Sequence, residues 1–304
     1  MYNIELGKSG LSVPTVAVGC MRISNMNEKQ VSEFVNTAIE NGANYFDHAD
    51  IYGRGQSEIV FGKAITPSMR DKIFIQTKCG IVSGKMFDFS YEHIINSVNG
   101  SLQRLGTDYI DVLLLHRPDA LMEPEEVARA FDELKTSGKV RYFGVSNQNP
   151  YQIQLLQNSL DVPLCANQLQ FSIMHAPMIQ SGINVNMYND SAIGRDGGVL
   201  DYCRLNKITI QPWSPLQYGF FKGCFIDNDE FPELNLKLAE LAEKYSVSKT
   251  TIAFAWILRH PSKMQPVTGT TNLVRLFDCI KATDITLTRE EWYDIYKSAG
   301  NILP

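Results

Sequence analysis

Four side chains able to share protons stand at equivalent points of the sequence. Asp47 and Tyr52 fall within Phe46-Asp47-His48-Ala49-Asp50-Ile51-Tyr52-Gly53, Lys78 closes the apolar run that begins at Ile73, and His116 follows Val112-Leu113-Leu114-Leu115. A lysine at the end of an apolar run is costly to bury alone, and Asp47 is the obvious counter-charge, with Asp50 as the alternative partner. A cation beside Tyr52 favours the phenolate and is expected to pull the phenol below its ordinary pKa of ~10. Tyr52 then reads as a general acid and His116 as a group that orients a carbonyl oxygen beside it.

A second set of residues suits a nucleotide. Ser146, Asn147 and Gln168 offer hydroxyl and amide groups for a carboxamide, and Trp213 offers an indole face for a flat ring. Val267-Thr268-Gly269-Thr270-Thr271-Asn272 opens a helix, where free backbone amides and the downstream Arg275 suit a phosphate.

These residues need elements to carry them. Short β-branched or apolar runs recur at Val13–Cys20, Tyr45–Ala49, Ile73–Cys79, Ile110–His116, Tyr142–Asn147, Ala166–Phe171, Thr209–Pro215 and Gln265–Gly269. Most are followed by a helical stripe. One carries Val31, Phe34, Val35, Ala38 and Ile39 after an Asn27 cap; another carries Ile94, Ile95, Val98, Leu102 and Leu105 between Ser90 and Gly106; a third, ending at Gly138, carries Val127, Ala130, Phe131 and Leu134.

Strands apolar on both faces and alternating strictly with helices leave a doubly wound sheet or a closed barrel. No Gly-x-Gly-x-x-Gly separates the first strand from the first helix, so the pattern predicts an α/β fold of the (β/α)8 TIM barrel type, one domain over residues 1–304. Residues 1–12 read as a hairpin closing one barrel end and residues 288–299 as an extra C-terminal helix. Residues 172–198 and 216–232 read as long connections.

The composition excludes several classes. A net charge of −5 without a basic cluster gives no attraction for nucleic acid, and no apolar stretch or leader signals a membrane, so a cytoplasmic protein is expected. Six scattered cysteines and five histidines show no metal-ligand spacing, and no metal is expected. Gly53-Arg54-Gly55 reads as a turn capped by Ser57. The aromatic stretch Tyr218, Phe220, Phe221 and Phe225 reads equally as pocket wall or loop packing, and His48, His93, His175 and His260 read as surface or packing residues.

The ordered set Asp-x-Ala-x-x-Tyr-Gly, strand-end Lys, Leu-Leu-His-Arg-Pro-Asp, Gly-Val-Ser-Asn, Asn-Gln, Trp-Ser-Pro-Leu and Gly-Thr-Thr-Asn…Arg resembles the aldo-keto reductase superfamily over about Leu6 to Ala282. The resemblance implies an NADP(H)-dependent oxidoreductase, with NAD(H) as the other cofactor choice, that passes hydride between the nicotinamide and an aldehyde or ketone. Asp47, Tyr52, Lys78 and His116 match the family's catalytic tetrad. Ser146, Asn147 and Gln168 match its carboxamide-binding positions, and Trp213 stands where a stacking tyrosine is usual. Cys20, Met21 and Arg22 match the first-strand turn bordering the cofactor, and Ser214, Pro215, Leu216 and Gly219 match the loop against its pyrophosphate. Gly269, Thr270, Thr271, Asn272 and Arg275 match the 2′-phosphate end, where Gly269-Thr270 replaces a common Lys-Ser pair.

The expected partner is a small carbonyl substrate and the expected state a monomer. The rival reading is a redox-sensing regulatory subunit that holds the nicotinamide and turns over little.

Overall fold

The computed structural model of the protein describes residues 1–304. Its eight barrel strands are β1 Ala17–Gly19, β2 Tyr45–Asp47, β3 Phe74–Cys79, β4 Ile110–Leu115, β5 Val140–Ser146, β6 Leu164–Gln170, β7 Thr209–Trp213 and β8 Val267–Thr268. All neighbours run parallel, in the order β7-β6-β5-β4-β3-β2-β1-β8. The β7–β8 seam is bridged by the Gln265 N–H, which donates to Ile210 O at 3.0 Å, so the sheet is a nearly closed (β/α)8 barrel.

Helices start and stop where the sequence chemistry dictates. Asn27 and Gln30 form a reciprocal capping box for Glu28–Glu40, Ser90 accepts from the His93 N–H to cap Tyr91–Leu105, and Gly106 ends that helix at φ 61°. The expected C-terminal helix is present as Arg289–Ser298.

Three expectations about elements need correction. The run Val13–Cys20 is two strands: Ser12–Pro14 pairs antiparallel with Asn3–Glu5, and only Ala17–Gly19 enters the barrel. The bend lies at Thr15-Val16, where the Thr15 hydroxyl donates to Tyr2 O at 2.6 Å. Residues 172–198 are not simply a loop, since Pro177–Ile183 is helical and buries Met178 and Ile179. Ser57 does not cap a helix; it lies buried inside Gln56–Ala64, which begins after three successive left-handed residues, Gly53, Arg54 and Gly55. No helix is long and apolar enough to cross a membrane.

The hairpin plugs the N-terminal barrel end: Ile4, Leu6 and Val13 pack with Tyr45, Val112, Leu114 and Ala166. At the opposite end the strands carry polar side chains. Because side chains alternate along a strand, the residues two places past the plugged layer point the same way. Asp47 follows Tyr45, Lys78 follows Gln76, His116 follows Leu114, Ser146 follows Gly144, Gln168 follows Ala166 and Trp213 follows Gln211. Strand parity therefore delivers these side chains to the carboxyl end of the barrel. Gly19 is obligatory there for another reason, as a Cβ would sit 2.1 Å from Thr268 O on β8.

Candidate active site

The carboxyl ends of the strands enclose one cleft of about 920 Å³. Its walls include Asp47, Tyr52, His116, Ser146, Asn147, Gln168 and Trp213, and it continues past Ser214, Pro215 and Leu216 to Gly269, Thr270, Thr271, Asn272 and Arg275, with Met21 and Arg22 also in its lining. Three of the expected residues do not line it: Lys78 is wholly buried beneath the Asp47–Tyr52 wall, and Cys20 and Gly219 are also absent. Cys20 is fully buried, its S–H directed at Val18 O, and Gly219 sits against the Lys222 side chain while its neighbours Phe220 and Phe221 line the cleft.

Lys78 is wholly buried and each of its three ammonium protons has an acceptor. Nζ lies 2.8 Å from both Asp47 carboxylate oxygens, 2.7 Å from His48 O and 3.3 Å from Tyr52 Oη. Asp47, not Asp50, is thus the counter-charge. Burial pulls the Lys78 pKa down, but Asp47 and then Tyr52 more than restore it, and the ammonium stays charged.

An ammonium can only donate, so Tyr52 Oη accepts from Lys78 and keeps its own hydrogen. That O–H has no acceptor in the protein, and the ring lines the cleft beside His116, edge-on at 5.9 Å between centroids. The Tyr52 pKa runs opposite to the sequence expectation. Burial raises it above the ordinary value, and Lys78 lowers it only in part. The phenol is protonated at neutral pH, with a cation ready beneath its oxygen.

His116 is held neutral by burial, reinforced by Lys78 and Arg117. Its Nδ1 is buried without a partner. A proton placed on Nε2 faces the cleft, where an acceptor can meet it, and we assign that tautomer. His48, in contrast, is fully buried edge-on to Phe61 at 4.5 Å and pushed to about 3 by burial, as befits a packing residue.

Asp47 is fixed from below by the expected Gln168 and by glutamines the sequence reading passed over. Its Oδ1 accepts from Gln76 Nε2 at 2.6 Å and Gln168 Nε2 at 3.1 Å as well as from Lys78. Gln76 and Gln211 exchange hydrogen bonds of 2.9 and 3.1 Å, and Tyr45 Oη donates to Gln76 Oε1 at 2.7 Å. Gln211 donates to Gln265 at 2.8 Å, and Gln265 to Pro14 O at 2.7 Å. A buried amide ladder therefore runs from the hairpin to the Asp47 carboxylate. The available signal was glutamine at barrel-facing parity in β3 and β7, flanked by apolar residues.

Ser146 and Asn147 serve the protein's own geometry. Ser146 Oγ donates to Gln168 O at 2.9 Å, Asn147 Nδ2 donates to Ser146 Oγ at 2.7 Å, and Asn147 Oδ1 accepts from Trp213 Nε1 at 3.1 Å. The indole is thus clamped in place, while one Asn147 amide hydrogen and Gln168 Oε1 stay free. Phe220 and Phe221 pack on it at 6.1 and 6.3 Å, whereas Phe225 is wholly buried, so the aromatic stretch is split between cleft wall and loop core.

After β8, Asn272 caps the helix Leu273–Lys281 by accepting from the Arg275 N–H, and the exposed Arg275 guanidinium has no partner. Arg22 Nη1 donates to Gly269 O at 2.6 Å.

Comparison with known proteins decides the family. The model of the aldo/keto reductase family matches residues 15–299. The chain belongs to this family. It is 35% identical to the oxidoreductase YdhF of Escherichia coli, with 98% of each chain covered. It is 33% identical to a 6-dehydroglucose reductase of Agrobacterium fabrum, again over 98% of both chains. The crystal structure of a thermostable aldo-keto reductase bound to the inhibitor epalrestat superposes with a TM-score of 0.80 at 26% identity, covering 98% of this chain and 100% of that one. This aldo-keto reductase is accordingly a member of an oxidoreductase family whose enzymes generally use NAD(P)H.

Proposed function

We propose that the protein reduces an aldehyde or ketone with NADPH, and that Tyr52 is the proton donor. The observation that carries this reading is the Lys78 ammonium held between the Asp47 carboxylate and the Oη of Tyr52 at the cleft wall, which leaves the phenolic hydrogen without a protein acceptor.

The cleft fits a dinucleotide. Trp213 is a clamped ring surface, Thr268, which also lines the cleft, has a buried Oγ1 without a partner, and Arg275 stands unpaired at the opening of a helix. When bound, the reduced nicotinamide supplies the hydride. The chain supplies the rest: Tyr52 O–H and His116 Nε2–H converge on the substrate oxygen, and their donors stabilise the charge that gathers there. Tyr52 passes its proton to that oxygen, and the phenolate it becomes is held by Lys78, whose own charge Asp47 and the amide ladder keep in position. Arg275 is the residue to meet a 2′-phosphate.

The test titrates purified protein with NADPH and NADH, following tryptophan fluorescence, and then adds a small aromatic aldehyde to the NADPH complex. Binding followed by loss of the reduced-nicotinamide absorbance is the expected result. Binding without turnover would favour a redox sensor, and failure to bind either cofactor would refute both readings.

A further inference from the structure

Three guanidinium groups line the cleft, those of Arg22, Arg117 and Arg275, and none forms a salt bridge with the protein. Arg22 and Arg275 flank the Gly269–Asn272 turn, the end proposed above for the nucleotide. Arg117 stands at the other end, immediately after His116, and the nucleotide reading gives it no role.

Its surroundings are specific. The guanidinium lies over the rings of Trp213 at 5.5 Å and Phe220 at 5.7 Å, half-buried against them. Contacts at that range are weak cation–π pairs and satisfy none of its five N–H donors. It makes no hydrogen bond to any protein acceptor. The carboxylates nearest in sequence or lining are already committed. Asp119 accepts from the Phe89 and Leu121 N–H groups at 2.9 Å each, and Asp47 is neutralised by Lys78. Aromatic walls on a partly desolvated cation strengthen whatever charge-assisted hydrogen bond it makes, and a planar fork matches a carboxylate two-to-two.

We propose that Arg117 receives an acidic group on the carbonyl substrate, so that the protein prefers aldehydes or ketones bearing a carboxylate. The proposal rests on the reductase reading for its chemistry, but the anion site is defined by Arg117 and its aromatic walls alone.

The experiment compares 4-carboxybenzaldehyde with methyl 4-formylbenzoate, which share a ring and an aldehyde and differ in charge, as NADPH-dependent substrates of the wild type, Arg117→Met and Arg117→Lys. The wild type is expected to favour the acid in kcat/KM by at least ~10-fold, a preference that shrinks with added salt. In Arg117→Met that ratio falls by roughly 10- to 100-fold, and Arg117→Lys, which keeps the charge without the fork, gives an intermediate ratio. In parallel, calorimetry measures benzoate against benzyl alcohol without turnover, with benzoate expected to bind the wild type and lose most affinity in Arg117→Met. Equal kcat/KM for both aldehydes, or benzoate binding indifferent to Arg117, overturns the proposal while leaving the reductase reading intact. Reduction of neither aldehyde, with Arg117-dependent benzoate binding, overturns the reductase reading and upholds the anion site.

Discussion

The two ends of the cleft differ in how their polar groups are satisfied. Around Tyr52, the Lys78 protons and Asp47 Oδ1 are fully engaged, and the amides beneath them lock to one another and to the Pro14 carbonyl. Around Gly269–Arg275, the Arg275 guanidinium is exposed and unpaired, and Thr268 Oγ1 has no partner. The difference follows from what each end must do. A buried charge that tunes a proton donor is tolerable only when every partner is built in, because water is excluded and an unpaired ion there is very costly. An exposed cation such as Arg275 is satisfied by water, so leaving it free for a ligand costs the fold little. On the proposed reading, the proton-transfer end is preorganised by folding and the nucleotide end is completed by its ligand.

That contrast can be broken most forcefully at the buried pair. Lys78→Met removes the only cation facing Asp47, and denaturant unfolding should show a loss of about 3–5 kcal/mol together with near-complete loss of carbonyl reduction. A variant as stable as the wild type would mean that the end thought rigid can reorganise. Next in size, Tyr52→Phe keeps the ring and removes the proton, and is expected to lower carbonyl reduction by at least ~100-fold with cofactor affinity retained. Turnover close to normal would take the donor role from Tyr52.

At the open end, Arg275→Ala should weaken NADPH more than NADH by roughly 1–3 kcal/mol without changing thermal stability, as fits a group the fold does not use. Equal losses for the two cofactors would argue against a 2′-phosphate contact. The smallest effect is an absence of one. Burial raises the Tyr52 pKa and lowers that of His116, so both are neutral across the middle range, and kcat for reduction should vary by no more than about twofold between pH 6 and 8. A step near the ordinary histidine pKa would show that His116 titrates in the working complex.

The barrel was legible because its signals are local. Period-two apolar runs, asparagine and serine caps and terminating glycines each act within a few residues, and every one of the eight strands appears within a few residues of its expected place. The cleft residues were legible for a related reason: reactive side chains at strand ends are conspicuous against apolar runs. The misreadings share a cause as well. Val13–Cys20 reads as one apolar run, and its one local breaker, Pro14, was outweighed by the β-branched residues around it; the Thr15–Tyr2 contact fixes the bend at Thr15-Val16 from across the hairpin. Cys20 sits at a strand end like its neighbours, yet packing turned it into the interior.

Alone, the sequence determined which residues could carry charge and protons, and in what order along the chain, because strand parity and strand-end position are properties of the covalent chain. Only the tertiary structure decided their state. The Tyr52 pKa moved upward because desolvation, a property of the whole surrounding volume, outweighs one nearby cation. The glutamines at 76, 211 and 265 became a ladder beneath Asp47 because closing the barrel brought β3, β7 and the residues before β8 face to face. Arg117 was left without a counter-charge because folding spent Asp47 on Lys78 and Asp119 on backbone amides. Which charges find partners is settled by closure of the barrel, since it joins residues that no local pattern links.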